Sequence, residues 1–547
     1  MSTSGWVQAA LFLAVLTALT PLVGAYLARV LQGEPLVLDR VLGPVERGVY
    51  RLAGVDPARE QDWKAYAKAV LLFNVLGFLV LYVVLRLGSQ PWDLALNTTS
   101  SFVTNTNWQY YAGESTLSNV VQMFGLATQN FLSAAVGIAV VAAVIRGFAR
   151  RGTDRLGNFT VDLTRVLLYV LLPISAVATL LFVSQGVVQS LDTTRTVGEQ
   201  VLRVWPVAGQ EAIKLLGTNG GGFFNVNSAY PFENASGLSN ALSMLLILLI
   251  PAALTSTFGR MVGSRRQGWA IYAAMAVMFT AAVVVVILAE SGPTSAMQAA
   301  GLDRANLEGK ETRFGIGSSA LFAVVTTVAS CGAVNAAMEA FSGLGGAVPM
   351  ASMMTGEVIF GGVGSGLYGM LLFVLLAVFL AGLMVGRTPE YLGKKIGAPE
   401  IRLVAVATLA VPLVVLVLTA VATATDHGQA SIWATGPQGF SETLYAYTSQ
   451  ANNNGSAFAG YTGVTFAHLL GALAMLAGRF VPMVLALAVA GLLARKAVTA
   501  PGPGTMRTDT PTFVVLLICA VILVALLTFV PALLLGPIAQ GLTEELF

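Results

Sequence analysis

Four short stretches of the chain are rich in Thr, Ser, Asn and Gly and lie between long apolar segments. They are Ser101–Gln109, Gly217–Asn225, Thr326–Asn335 and Tyr447–Ser456. Their oxygen ligands are backbone carbonyls, hydroxyls and amides, and none has a carboxylate at its centre. A Ca²⁺ or Mg²⁺ cage would bring in Asp or Glu, whereas neutral dipoles suit a monovalent cation that must be released again. These stretches therefore indicate a path for an alkali cation.

The hydroxyls and amides of the four stretches are the first candidates for this chemistry, and each could either line a pore or brace its own turn. Cys331 beside the third stretch is interpreted as a small packing residue rather than a redox centre. The polar candidates are Thr104, Asn105, Thr218, Asn219, Ser330 and Asn453.

The spacing of the four stretches predicts an internal repeat. Their centres lie near residues 105, 219, 331 and 453, about 114, 112 and 122 residues apart. One such stretch alone could be a surface loop, but four at a regular period indicate a recurring unit. The unit is a helix, a short re-entrant helix, a polar turn and a second helix. The expected repeats are 66–150, 151–262, 263–388 and 389–497, with an extra helix in each of 1–65 and 498–547.

The composition places these units in a membrane. Of 547 residues, 56% are hydrophobic and only 10% are charged, against about 25% charged in an average chain. The net charge of +3 gives no reason to expect nucleic acid. The apolar lengths predict an all-α polytopic membrane protein, with four membrane–pore–membrane repeats around a pseudo-fourfold pore and ten spans. The spans are 6–30, 70–87, 118–147, 166–185, 237–258, 268–290, 351–384, 403–424, 464–494 and 511–535.

Lys and Arg collect in the loops after the first, third, fifth, seventh and ninth spans. By the positive-inside rule these alternate loops face the cytoplasm, which places both termini and all four polar stretches on the outer side. The first apolar run has no basic segment before it and is long for a signal peptide, so we expect it to be retained as a helix.

The seventh span is interrupted by the glycine-rich segment Met350–Tyr368, which carries one acid, Glu357. Glycine at this density breaks or bends a membrane helix, and an acid in a membrane segment is a functional candidate. One interpretation is a gate loop below the filter, with Glu357 drawing the cation inward. The other is a structural kink in which Glu357 pairs with an arginine such as Arg387.

The sequence has no Walker-type phosphate loop and no recognisable phosphorylation domain or acid–base pair. Any energy for transport must therefore come from another chain.

These motifs resemble the KdpA family, the potassium-binding subunits of the bacterial ATP-driven Kdp potassium uptake complex. The likeness covers the whole chain and is carried by Thr104–Gln109, Gly217–Asn225, Ser330–Gly332 and Asn452–Ser456, with Gly356–Gly369 and Gly386–Lys395 in the third repeat. The resemblance adds filter positions at Gly220, Cys331, Gly332, Asn454 and Gly455. It also adds Gln109, Glu357 and Arg387 as residues of selectivity, gating or a tunnel.

The resemblance implies a subunit of the bacterial inner membrane that binds K⁺ from outside and passes it through an intramembrane tunnel. The recipient would be a KdpB-like P-type ATPase subunit that uses the ATP, and KdpC-like and KdpF-like subunits would complete the complex. No cofactor is expected beyond K⁺ as the transported ion. The alternatives are a self-sufficient K⁺ channel or Na⁺-coupled symporter with the same repeats, and a membrane scaffold that binds no ion.

Overall fold

A computed structural model describes residues 3–500 and 505–542. Its helices are α1 (Thr3–Gln32), α2 (Asp39–Leu52), α3 (Trp63–Leu87), α4 (Trp92–Val103), α5 (Gly113–Thr116), α6 (Thr128–Ala149), α7 (Phe159–Val166), α8 (Leu172–Ser184), α9 (Val207–Leu216), α10 (Gly237–Met261), α11 (Arg265–Glu290), α12 (Ser295–Ala299), α13 (Gly315–Val328), α14 (Gly343–Met354), α15 (Ser365–Met384), α16 (Ala398–Ala424), α17 (Asp426–Gln429), α18 (Gly436–Ala451), α19 (Thr465–Arg495), α20 (Pro511–Leu533) and α21 (Ala539–Leu542). Its strands are β1 (Gln61–Asp62), β2 (Arg155–Gly157), β3 (Thr194–Val197), β4 (Gln200–Arg203), β5 (Glu390–Tyr391) and β6 (Lys394–Lys395).

Within the described residues, ten helices are long and apolar enough to cross a membrane, which confirms an all-α polytopic membrane protein. Short π-helical segments continue three of them, before α6, between α7 and α8, and between α20 and α21. The strands form three separate antiparallel pairs, β1 with β2, β3 with β4 and β5 with β6. The spans differ in position: 83% of the most apolar window of Val121–Ala149 is buried, against 22% for Trp63–Leu87. The former is central to the bundle, and the latter faces outward.

The predicted seventh span, 351–384, is two helices rather than one. Helix α14 ends at Met354 and α15 begins at Ser365. The residues between them include five with positive φ, a conformation that no right-handed helix accommodates. They are Gly356, Glu357, Phe360, Gly361 and Gly364. The glycine-rich interruption therefore breaks the helix, and only α15 has the length and hydropathy of a span.

Four short helices, α4, α9, α13 and α18, lead into the four polar stretches: α9 ends immediately before its stretch, and the other three end within the first residues of theirs. They pack among the long helices: α4 contacts α3 and α19, α9 contacts α8 and α10, α13 contacts α11 and α14, and α18 contacts α16 and α19. This arrangement matches the predicted unit of helix, short helix, polar turn and helix. Because each short helix ends at its turn, the negative ends of four helix dipoles point at the turns.

Candidate cation-binding site

All four short helices end in the same backbone turn. The second residue after each helix has positive φ although it is not glycine: Asn105 at 70°, Thr218 at 49°, Ser330 at 53° and Asn453 at 61°. The N–H of the next residue then donates to the carbonyl five positions earlier, from Thr106, Asn219, Cys331 and Asn454 at 2.8–3.1 Å. This is the long-range bond of a Schellman helix end. Four copies of one turn confirm that the polar stretches are structurally equivalent.

Positive φ in a non-glycine residue is strained, and most so for β-branched Thr218. Such strain costs on the order of 1–3 kcal/mol per residue and persists only where the surroundings enforce it. The same strained conformation occurs in all four turns, so the surrounding structure must enforce it at each of them.

The first and second turns are joined by the side chains of two asparagines. The Asn105 Nδ2 donates to the carbonyls of Gly217 and Thr218 at 3.0 and 3.1 Å. The Asn219 Nδ2 donates in return to Asn105 Oδ1 at 2.5 Å. Ser133 of α6 also donates to Asn105 Oδ1, at 2.8 Å. Asn105 and Asn219 therefore brace the backbone of the turns.

The remaining contacts close a ring in chain order. The second and third turns meet where a Cβ added to Gly220 would lie 2.0 Å from the Gly332 nitrogen. The third and fourth are joined by Ser330 Oγ, which donates to the Asn452 carbonyl at 3.1 Å. The fourth returns to the first through Asn453 Nδ2, which donates to Thr106 Oγ1 at 3.0 Å. The four stretches thus surround one centre.

Glycine is required where these turns touch. A Cβ on Gly332 would lie 2.7 Å from the carbonyl carbon of Gly455, and one on Gly455 would lie 1.9 Å from the Thr106 oxygen. Gly332 has a negative φ, whereas Gly220 and Gly455 have φ of 86° and 99°. Backbone therefore packs against backbone around the ring, which concentrates carbonyl groups there.

The other candidate side chains are also occupied or enclosed. Thr104 Oγ1 donates to the Ser100 carbonyl at 2.7 Å, and Thr218 Oγ1 accepts from Val363 N at 3.1 Å. Cys331 is fully buried in the apolar core with a free thiol, as a packing residue would be. Between bracing and lining, the side-chain contacts favour bracing for most of the candidates.

The ring separates two cavities. One, called the outer cavity, has a volume of about 930 Å³, and its lining includes Asn107, Gln109, Gly455 and Tyr461. Both side-chain polar atoms of Asn107 are buried without a partner in the described structure. Asn107 was not among the residues singled out from the sequence, although it holds the ring position equivalent to Gly220 and Gly455.

The inner cavity is smaller, about 90 Å³, and reaches the ring at Ser330, Asn452 and Asn453. Its other walls come from the break between α14 and α15 and from α16, α19 and α20. A path from the outer cavity to the inner one must therefore pass through the ring of four turns.

Glu357 lies in the break and is buried beneath the ring. Its Oε1 accepts from the Asn454 side chain at 2.9 Å, and its Oε2 has no partner in the described part of the chain. The break is itself tied to the turns, since the Gly361 N–H donates to the Val328 carbonyl at 2.8 Å. A carboxyl group with one oxygen free of hydrogen-bond partners among the described residues thus lines the inner cavity.

Arg387 does not pair with Glu357, so that sequence hypothesis was wrong. It follows the end of α15, beside Gly382 and Pro389, and α15 has 20 residues. A helix of that length places its ends about 30 Å apart. The structure therefore puts Arg387 in the basic loop and away from the ring.

The arginine at the inner cavity is Arg479, which the sequence reasoning missed. It lies in α19, is only 5% exposed, and lines the same cavity as Glu357. The signal was present, since Arg479 is the one charge inside a 31-residue apolar helix before its terminal arginine. An ionisable residue in such a position marks an ion path or a buried partner.

The second turn is also stabilised by Gln109 and by a buried cluster of charges around Lys214. Gln109 clasps the backbone of Gly222, with Nε2 donating to its carbonyl at 3.3 Å and Oε1 accepting from its N–H at 3.0 Å. Lys214 Nζ lies 2.6 Å from Glu211 and 3.4 Å from Glu233, and all three side chains are 0–1% exposed. This buried charge cluster is a second feature that the sequence did not predict.

Ten apolar spans with four inserted short helices around one ring of neutral turns define a class, the polytopic membrane proteins built from pore-type repeats. The family model for KdpA, the potassium-transporting ATPase A subunit, matches residues 10–542. The chain therefore belongs to the KdpA family, the potassium-binding subunits of potassium-transporting ATPases.

Individual relatives agree with the family. The chain is 53% identical to the potassium-transporting ATPase potassium-binding subunit of Granulibacter bethesdensis over 561 aligned residues, 99% of each chain. It is 54% identical to the protein of the same name from Methylobacterium nodulans, over 99% of this chain and 98% of the relative. The protein of that name from Sorangium cellulosum is also 54% identical, with 99% of each chain covered.

Proposed function

We propose that the ring is a K⁺ selectivity filter, in which carbonyl oxygens of the four turns replace the hydration shell of the ion. The observation that carries the proposal is the closed ring of four equivalent Schellman turns between two cavities. Backbone carbonyl rings are an established means of binding K⁺. Four helix C-termini add a field that attracts a cation. The assigned filter residues are Thr104, Asn105, Thr218, Asn219, Gly220, Ser330, Cys331, Gly332, Asn453, Asn454 and Gly455.

The next step of the proposed path is the inner cavity. Glu357 attracts the cation that leaves the filter, and Arg479 opposes its further passage toward the basic loops. The cavity continues sideways to residues of α16 and α20, such as Val411 and Thr528. This direction is consistent with lateral delivery of the ion to a neighbouring subunit.

The recipient in this proposal is a KdpB-like P-type ATPase subunit, which hydrolyses the ATP, in a complex with KdpC-like and KdpF-like subunits. Two observations support it: the relatives are named as subunits of a potassium-transporting ATPase, and the sequence has no nucleotide-binding motif. The proposed location is the bacterial inner membrane with both termini outside, and the basic alternate loops support this orientation.

The test is the substitution Gly220→Ala in the assembled complex, measured as K⁺-dependent ATPase activity. The added Cβ would lie 2.0 Å from the Gly332 nitrogen at a φ of 86°, so we expect at least tenfold weaker apparent K⁺ affinity and a lower preference over Na⁺. Gly198→Ala is the matched control, because Gly198 has a φ of 62° but open space around its Cβ position.

Unchanged K⁺ affinity and ion preference in Gly220→Ala, with Gly198→Ala also unchanged, would refute the filter. Cation flux through the purified chain without any partner would instead favour a self-sufficient channel.

A further inference from the structure

Helix α2 carries three different faces and follows α1 after only six residues. Its buried face is Gly43, Glu46 and Tyr50. At 3.6 residues per turn, an exposed apolar stripe lies nearly opposite that face, and an exposed basic stripe lies on the flank between the two. The apolar stripe is Val41, Val45 and Leu52, and the basic stripe is Arg40, Arg47 and Arg51.

The buried face fixes the depth of α2. Glu46 accepts hydrogen bonds from Tyr169 at 2.6 Å and from Arg165 at 3.1 Å. Both donors belong to the span formed by α7 and α8 with their joining segment. Arg165 also donates to the Val30 carbonyl, in the last turns of α1, at 3.0 Å. Helix α2 therefore packs against the first turns of the α7–α8 span, which Arg165 ties to the last turns of α1.

The apolar stripe is left open by the rest of the chain. Val41 is 72% exposed, Val45 is 50% and Leu52 is 92%. Their spacing of four and seven residues gives one continuous strip along the helix. At this depth the medium beside the strip is the bilayer interface, where an amphipathic helix buries such a face.

The basic stripe has no protein counter-charge. Arg40, Arg47 and Arg51 are exposed, and within the described residues none of them forms an ion pair closer than 4.0 Å. The two acids of α2 do not offset them. Asp39 accepts from the Leu36 N–H at the helix start, and Glu46 is turned inward. The exposed surface of α2 is thus apolar on one side and cationic on the other.

We propose that α2 is an interfacial membrane helix that binds anionic phospholipids. Val41, Val45 and Leu52 insert between the acyl chains near the headgroups, and the three arginines bind the lipid phosphates. The choice of a lipid surface over a protein partner rests on the charge of the arginine stripe and on the depth fixed by Glu46. Basic residues next to an apolar face near a membrane are the pattern that anionic lipids recognise.

The first experiment places a bimane label at Val45→Cys in a Cys519→Ser background, in the assembled complex. The complex is reconstituted in vesicles of phosphatidylcholine and phosphatidylglycerol whose acyl chains are brominated near the headgroup. We expect strong quenching at position 45. A label at Val201→Cys is the control, because Val201 is 64% exposed in the β3–β4 hairpin and should not be quenched. No quenching at position 45 would overturn the proposal.

The second experiment tests the arginines with the lipid headgroup as the only variable. With brominated chains on phosphatidylglycerol alone, quenching at position 45 should exceed that with the bromines on phosphatidylcholine alone. At about 1 kcal/mol per arginine, the headgroup preference is about fivefold for each residue. The variant R40Q/R47Q/R51Q should lose this preference and keep its ATPase activity in detergent. The control R195Q/R203Q, in the exposed hairpin, should retain it. A preference unchanged in R40Q/R47Q/R51Q would contradict lipid binding by the stripe.

Discussion

Replacing Lys214 by methionine should weaken K⁺ binding although Lys214 is not a filter residue. Its Nζ lies between Glu211 and Glu233 at 2.6 and 3.4 Å, and its side chain is 0% exposed. Its own carbonyl accepts the N–H groups of Asn219 and Gly220 at 2.8 and 3.0 Å. The same residue therefore neutralises buried charge and holds the second turn of the ring.

The size of the effect follows from burial. Removing one partner of a buried ion pair costs about 3–5 kcal/mol, because the remaining charge is left uncompensated. Here two carboxylates remain at 0–1% exposure. About 1.4 kcal/mol corresponds to a factor of ten in an equilibrium constant. The population of the native turn relative to rearranged conformations should therefore fall by a factor of about 100 or more. Apparent affinity falls with the fraction of competent protein, so we expect K⁺ binding to weaken at least tenfold.

The assay is the K⁺-dependent rise in melting temperature of the assembled complex, from which an apparent dissociation constant is obtained. The matched control is Lys310→Met, because Lys310 is equally buried and pairs with Glu290 at 2.9 Å outside the ring. It should lower stability similarly and leave K⁺ affinity within about threefold. Combining K214M with E211Q and E233Q removes every charge of the cluster and should restore most of the binding. Wild-type K⁺ affinity in Lys214→Met alone would show that the charge of Lys214 does not maintain the second turn.

Two further predictions concern Glu357 below the ring and Lys394 in the basic loop. Glu357→Gln keeps an oxygen for the Asn454 amide but removes the acid below the ring. K⁺-stimulated ATPase activity at saturating K⁺ should therefore fall about tenfold, the scale of 1–2 kcal/mol, with little change in the half-saturating K⁺ concentration. An unchanged maximal rate would contradict this role of Glu357. In the basic loop, burial lowers the pKa of Lys394 to about 8. Between about pH 8 and 10 the unfolded chain therefore binds more protons than the folded one, so the free energy of unfolding should rise with pH. Thermal unfolding followed across that range should show a smaller rise in Lys394→Met.

The sequence predicted the repeated unit correctly because two strong signals coincide. Apolar length locates the spans, and the spacing of polar turns locates the short helices between them. The centres predicted from the spacing, near 105, 219, 331 and 453, lie within one residue of the structurally equivalent positions Asn105, Thr218, Ser330 and Asn453. The repeat can therefore be recognised from local patterns of residues, which are visible in a single sequence.

What the sequence could not supply is contact between distant segments. Glu233 lies behind the second turn only because the loop after the turn folds back on α9, and Arg479 meets the inner cavity only through the packing of α19. Arg387 was misplaced for the same reason, because closeness in sequence to the break does not overcome the length of α15. Buried charges in particular are positioned by tertiary packing, so the periodicity of the sequence does not identify their partners.

The central claim is that K⁺ occupies the ring of four turns. The most direct test is anomalous diffraction from crystals of the assembled complex grown in Rb⁺, which substitutes for K⁺ and scatters strongly. We expect an anomalous peak on the axis enclosed by the four turns, within coordination distance of their oxygens. The turns are Asn105–Asn107, Thr218–Gly220, Ser330–Gly332 and Asn453–Gly455. An empty ring, with Rb⁺ bound only elsewhere in the chain, would contradict it.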